Sequence, residues 1–267
     1  GSGDVTSAAT LPADLQARFI MRARGSLVAC GLVFLPALFS KINPGVAVDI
    51  QVAEGEHVAA GQALATLSGP ARALLAGERT ALNLVQQLSG VATLTARYVA
   101  AVKGTHARIL DTRKTIPGLR LAQKYAVRCG GGVNHRIGLY DAVLIKDNHI
   151  AVAGGVIKAV EAARMHAPLG MMIEVECDTL AQLDALFTVG CDRVLLDNMD
   201  LPSLREATAR VAAYNAGRPA QPPMQTEASG NVNLETVAAI AHTGVDYISV
   251  GKLTHSAPAV DIGLDEV

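Results

Sequence analysis

From residue 107 to residue 149 the chain reads ARILDTRKTIPGLRLAQKYAVRCGGGVNHRIGLYDAVLIKDNH. Cations follow short apolar runs three times: Arg113 and Lys114 after RILDT, His135 and Arg136 after a triple glycine, and Lys146 after DAVLI. An arginine is a planar fork that grips carboxylate or phosphate with two hydrogen bonds, whereas a lysine is a compact point charge. If Arg113, Lys114, Arg136 and Lys146 converge, they hold more positive charge than a monoanion can balance. Such a cluster is either wet or occupied by polyanions.

Acidic residues follow the same rule of placement. Glu174 and Glu176, two apart in MMIEVEC, share one face of a strand, Asp197 ends VLLDN, and Glu227 lies in QTEASG. Cations beside carboxylates suit a sugar diphosphate with its metal: cations take the phosphates, and acids take ribose hydroxyls or Mg²⁺. Two further sites for an anion are backbone in kind. Ser229–Gly230 precedes a helix expected to open near Asn233, and Gly251 ends a strand before another turn, so free N–H groups and helix ends could meet a phosphate. No GxSxG, HExxH or GxxxxGK[ST] segment competes, and no GxGxxG follows a strand.

These residues need a scaffold that lines up strand ends. Strands are expected at Ala107–Thr112, Ala142–Asp147, Met172–Cys177, Arg193–Asn198, Met224–Ser229 and Tyr247–Gly251. Helical patterns separate them: LRLAQKYAVRC, AGGVIKAVEAARMHA, TLAQLDALFTVG, PSLREATARVAAY and NLETVAAIAHTG. Charged groups recur at the C-terminal end of nearly every strand, the face on which α/β barrels assemble their sites. An open doubly wound sheet would concentrate its site at one switch point instead, so the pattern favours a barrel.

The first 70 residues or so read as strand-rich. RARGSLVACGLVFL alternates small and apolar residues, and VAVDIQVAEGEHVAAGQALATLSGPA carries Gly55 and Gly61 at turn positions. The second piece has the flavour of a lipoyl or biotinyl carrier, but no lysine lies between Lys41 and Lys103 to bear the cofactor. Residues 71–103 then show helical spacing, with a break between two helices expected at Ser89–Gly90.

Composition sets outer limits. The chain has 267 residues, half of them hydrophobic, yet aromatics are 3% and Trp is absent, so the core must be aliphatic. A formal net charge of −1 and the lack of long like-charge runs argue against nucleic-acid and membrane partners. Cys30, Cys129, Cys177 and Cys191 show no CxxC spacing and read as small buried hydrophobes of a reducing cytoplasm. No apolar run reaches the ~18 residues of a membrane span. The start GSGDVTS lacks an initiator Met and reads as truncated or as opening on an added Gly1–Ser2.

Across essentially its whole length the chain resembles the quinolinate phosphoribosyltransferases. The most specific pieces are ERTALNLVQQLSGVAT, the 107–149 segment, EVEC, LLDN, EASGNVN and GVDYISVGKLTHS. The resemblance implies an N-terminal α/β sandwich over 1–104, with a tail from about 256 to 267 packing back on it. It also implies an incomplete, open α/β barrel over 105–255. It further implies a cytoplasmic homodimer with shared active sites, a higher oligomer being left open, and a requirement for Mg²⁺.

Carried over residue by residue, Arg113, His135 and Arg136 bind the two carboxylates of quinolinate, with Arg79 reaching in from the partner subunit. Lys114 and Lys146 lie between quinolinate and the diphosphate of phosphoribosyl pyrophosphate. Glu176 and Asp197 hold ribose hydroxyls and the metal, largely through substrate and water. Ser229, Gly230, Gly251 and His255 cradle the 5′-phosphate. Lys114, Lys146, Glu176 and Asp197 are the expected catalytic set. Family members begin with roughly another helical segment, a difference that bears on dimer contacts rather than on chemistry. A related transferase acting on nicotinate and the molybdenum-transport-associated relative are the enzymatic rivals. Four groups able to face carboxylates, Arg79, Arg113, His135 and Arg136, favour a dicarboxylate.

Overall fold

The computed structural model describes residues 3–267; the Gly1–Ser2 start lies outside them. The chain divides into two compact units. One takes the chain through Ala96, Ile116–Gly131 and Leu253–Val267; the other takes Arg97–Thr115 and Gly132–Lys252. No described helix is long and apolar enough to cross a membrane.

After a short helix (Val5–Thr10) capped by Asp4, the first unit carries β1 (Gln16–Ala23), β2 (Leu27–Val28), β3 (Ala47–Ile50), β4 (His57–Val58) and β5 (Ala63–Pro70). β5 pairs antiparallel with β1 and with β3, while β2 and β4 form a separate ribbon. Gly55 and Gly61 occupy the expected turns, each with φ of 82°, a left-handed conformation that costs other residues a Cβ clash. RARGSLVACGLVFL is a strand only in part. Gly31 turns left-handed (φ 95°), and the Glu54 carboxylate accepts the N–H groups of Gly31 and Val33. The chain therefore leaves β2 for a 3₁₀ turn and the helix Leu35–Ile42.

The expected break at Ser89–Gly90 does not occur: Ala71–Ala101 is a single helix of 31 residues. Both small residues serve neighbouring chain instead of a turn. Ser89 Oγ accepts the Cys30 N–H at 2.9 Å and donates to the Cys30 carbonyl at 3.1 Å. A Cβ at Gly90 would strike the carbonyl oxygen of Pro258. Met21, Phe39, Leu64, Leu67, Leu74 and Val85 fill the core of this unit. Each buried side chain of this size contributes roughly 1.5–3 kcal/mol.

In the second unit all six expected strands form, one or two residues shorter than the sequence pattern at most ends. They are β6 (Arg108–Leu110), β7 (Val143–Ile145), β8 (Ile173–Cys177), β9 (Arg193–Asp197), β10 (Gln225–Ser229) and β11 (Tyr247–Ser249). Every pairing is parallel, in the order β6-β11-β10-β9-β8-β7. β6 and β7 are the two edges and do not pair with each other, so the barrel is open. Helices Val156–His166, Leu180–Leu186 and Leu201–Ala216 alternate with the strands, the latter two capped by Thr179 and Asp200. NLETVAAIAHTG yields only Val237–Ala241. Asn233 Oδ1 accepts the N–H groups of Glu235 and Thr236, which delays the helix by one turn.

The chain then returns to the first unit as β12 (Ile262–Glu266), antiparallel to β1, giving the sheet order β12-β1-β5-β3. Arg22 and Arg24 both pair with Asp265 across that edge.

Candidate active site

The site is built on the C-terminal ends of the parallel strands. Asp111, fully buried at the end of β6, accepts the His135 backbone N–H at 2.8 Å and the Asn134 side-chain amide at 2.6 Å. A Leu110–Val133 bridge continues the same alignment. One strand end therefore fixes two cationic segments: Arg113–Lys114, which follows it, and His135–Arg136, which lies along it. Lys146 follows β7 as the cap of the helix Asp147–Ala153. Glu176 lies near the end of β8, and Asp197 on β9 is in register with Ser229 on β10.

Arg136 carries the electrostatic signature of the site. Burial of its guanidinium, then the like charge of Arg113, hold its pKa below the usual arginine range; Glu174 and Asp141 oppose the shift. Its Nη1 donates to the Ala142 carbonyl at 3.1 Å, which fixes the head group. Two guanidinium groups are thus held within each other's field, an arrangement that a dianion would stabilise. Lys146 Nζ forms a close ion pair with Glu176, and Glu176, Asp178 and Asp197 offer carboxylate oxygens within 4.8 Å of one another. An all-oxygen set of this kind fits a hard divalent cation.

Beneath the rim lies a second, buried layer. His135 Nε2 stands 3.0 Å from Glu174 and 3.5 Å from Glu227, and both carboxylates are fully buried. Neither Glu174 oxygen makes a well-aligned hydrogen bond. Glu227 is better served, accepting from the Ser249 hydroxyl and from Arg193 Nη1 at 3.2 Å. Arg193 also lies over the Tyr247 ring, 4.0 Å from its centroid. Burial first, and the Glu174 charge second, push the Glu227 carboxyl up to about 8; burial likewise raises Glu174. Two acids this close and this dry favour one shared negative charge, which Arg193 balances.

His135, expected to meet a carboxylate of the substrate, is also bonded within the protein. His135 Nδ1 accepts the backbone N–H of Arg136 at 2.7 Å, so Nδ1 carries the lone pair and the proton belongs on Nε2, facing the two glutamates. The tautomer is assigned from this bonding pattern. Both ring nitrogens are engaged within the protein.

The Ser229–Gly230 loop is a tight one. Gly230 has φ of 98°, and a Cβ there would meet the Asn198 side chain and come within 3.0 Å of its backbone nitrogen. Asn198 N–H donates to the Ser229 carbonyl at 2.9 Å, and Asn198 and Asn231 are themselves left-handed. Gly251 opens the short turn before Lys252–His255. Arg79, exposed on the helix Ala71–Ala101, and His255, exposed beside Ser256, belong to the first unit. Sequence reasoning missed Arg193, Ser249 and Asp178. Arg193 opens its strand as any surface arginine might, and only the β9–β10 register brings it to Glu227.

Comparison with known proteins agrees with this geometry. Residues 4–89 match the model of the quinolinate phosphoribosyl transferase N-terminal domain, and residues 91–265 match that of the C-terminal domain. The chain is 46% identical over 266 residues to the nicotinate-nucleotide pyrophosphorylase [carboxylating] of Mycobacterium leprae, covering 98% of this chain and 90% of that one. It is 40% identical to a quinolinate phosphoribosyltransferase [decarboxylating] of Nicotiana tabacum, covering 98% of this chain and 77% of that one. The solved nicotinate-nucleotide pyrophosphorylase from Francisella tularensis superposes with a TM-score of 0.92 at 37% identity, covering 100% of this chain and 91% of that one. With both domain models matched end to end over an open barrel whose strand ends carry the charged motifs, the chain belongs to the quinolinate phosphoribosyltransferase family.

Proposed function

We propose that this chain transfers the phosphoribosyl group of phosphoribosyl pyrophosphate to quinolinate with loss of CO₂, giving nicotinate mononucleotide and diphosphate for NAD biosynthesis. The observation that carries the reading is the half-buried Arg136 held in the field of Arg113, a paired cationic seat suited to a dicarboxylate.

In this mechanism Arg113 and Arg136 hold the two carboxylates and aim the pyridine nitrogen at the ribose C1. Lys114 and Lys146 face the leaving diphosphate. The bond from C1 to diphosphate breaks as the nitrogen–C1 bond forms, through a state with cationic character on the ribose. Glu176 and Asp197 stabilise that charge and hold the ribose hydroxyls, an electrostatic and positioning role. Mg²⁺, held by Glu176 and Asp197 with Asp178 beside them, would neutralise charge on the diphosphate. Ser229, Gly230, Gly251 and His255 receive the 5′-phosphate. After transfer the ring nitrogen is cationic and serves as electron sink: the C2 carboxylate leaves as CO₂, and C2 then takes a proton. No residue forms a covalent bond to substrate. A cytoplasmic homodimer in which the partner subunit's Arg79 reaches quinolinate completes the reading.

Release of CO₂ from carboxyl-labelled quinolinate, with and without phosphoribosyl pyrophosphate and Mg²⁺, tests it. Release that requires both supports the reading. Absence of release, with no binding of quinolinate, would overturn it in favour of a transferase for another base.

A further inference from the structure

Cys30 and Cys129 stand apart from the strand-end site, within the first unit. Cys30 follows β2 and is fully buried, its backbone N–H and C=O both tied to Ser89 Oγ. Cys129 ends the helix Arg120–Cys129 and is partly exposed. The chain around it is tightly clamped: a Cβ at Gly55 would come within 3.0 Å of the Cys129 carbonyl, and one at Gly130 would strike the Ala92 carbonyl. Both backbones are therefore held by neighbouring chain. The sulfurs and a Glu54 carboxylate oxygen all lie within 4.8 Å of one another.

The neighbours divide the two thiols chemically. A hydrogen bond from Cys30, and a second from Tyr125 one turn back on the same helix, favour the thiolate of Cys129, while Cys30 is held protonated. Glu54 has both oxygens committed to backbone, accepting from Gly31 N–H at 2.8 Å and Val33 N–H at 3.1 Å. The two sulfurs are the redox-capable pair of this cluster, and a thiophilic metal ion, the other occupant it could take, is scored in the test below.

We propose that Cys30 and Cys129 form a redox-active dithiol that a hydroperoxide converts reversibly into a disulfide. The part-exposed Cys129 thiolate attacks the peroxide; the O–O bond breaks, an S–O bond forms, and hydroxide leaves, so Cys129 becomes a sulfenic acid. The Cys30 sulfur then attacks the Cys129 sulfur. The S–S bond forms as the S–O bond breaks, and the departing hydroxide takes the Cys30 proton as water. Overall, two thiols lose two electrons and two protons, and one hydrogen peroxide becomes two waters. Cys177 and Cys191 lie in the other unit, and burial pushes both thiols upward, so they serve as internal controls.

The test uses the full chain, reduced, desalted without air, and exposed to an equivalent of hydrogen peroxide. It is then unfolded in an alkylating reagent and digested without reductant. The expected product is a peptide cross-linked through Cys30 and Cys129, lighter by two hydrogens than the sum of its parts and restored by a dithiol reductant. It should form at least about tenfold faster than Cys177 or Cys191 loses alkylation. Sulfinic acid on Cys129 with Cys30 still alkylatable would overturn the proposal. So would no change in either thiol, or an equivalent of zinc in the protein as purified. In Cys30→Ala, a sulfenic acid on Cys129 should become trappable by a cyclic diketone. Should that variant fail to fold, the wild-type peptide map still decides.

Discussion

Glu174 and Glu176 are two residues apart on one strand and face the same way, yet their surroundings differ in kind. Glu174 has buried groups as its nearest partners, His135 and the Glu227 carboxyl, and lies in the field of Arg193 first and of Arg136 and Lys146 after it. Glu176 is paired with Lys146, whose side chain is 46% exposed and able to swing to an incoming diphosphate. Glu227 and Ser229 repeat the contrast on β10, with a buried acid below and a loop hydroxyl above. One pleat of depth thus separates a buried layer from a solvated one, to which the proposed mechanism assigns the ligand. Residue type does not decide between the roles; the mobility and hydration of the partner do.

The largest effect should follow from breaking the lower layer. Glu227→Ala leaves Arg193 Nη1 and the Ser249 hydroxyl buried without their acceptor, with Gln225 alone still accepting from the guanidinium, at a cost of about 3 kcal/mol or more in urea unfolding. A loss under about 1 kcal/mol would mean that the layer is not structural. The same acid sharpens the contrast through pH. Its folded pKa, about 8, stands above the ordinary 4.5, so the stability it contributes is fully present below pH 4.5 and lost as pH rises toward 8. Wild type should therefore lose on the order of 2 kcal/mol more than Glu227→Gln between pH 5 and 8, read from thermal unfolding. Parallel curves for the two proteins would show that Glu227 ionises normally.

The upper layer was more legible in the sequence than the lower. Arg113, Lys114, Lys146, Glu176 and Asp197 each follow or end an apolar run, and the run marks a strand whose exit is the site. All six barrel strands were readable for the same reason. Arg193 was not, because its meaning lies in a register between β9 and β10 that no local pattern encodes. His135 could be placed in the site but not given its tautomer, which depends on the Arg136 N–H and on two acids from other strands. Ser89 and Gly90 misled for a related reason: small residues mark a turn when alone, but a close approach when another segment lies against them. Cys30 and Cys129 likewise meet only through the fold.

Removing an upper-layer cation should hurt turnover without hurting the fold. Lys146→Ala and Arg113→Ala should each lower kcat/KM at least tenfold, about 1.4 kcal/mol of transition-state stabilisation. Thermal midpoints should stay within a few degrees of wild type, since both side chains are largely solvated. Unchanged kinetics in either variant would remove that residue from the upper layer.

The finest test concerns His135, which belongs to both layers by position and to the lower one by bonding. If its work is to accept the Arg136 N–H and face the buried acids, then an amide that accepts the same N–H should substitute. His135→Asn should hold KM for quinolinate within about fivefold of wild type, roughly 1 kcal/mol, whereas His135→Ala should lose clearly more. A direct ligand would behave otherwise: affinity would fall as pH rose through the histidine pKa, and Asn would be as poor as Ala. That pattern would return His135 to the upper layer, and with it the direct contact to a substrate carboxylate that its place beside Arg136 first suggested.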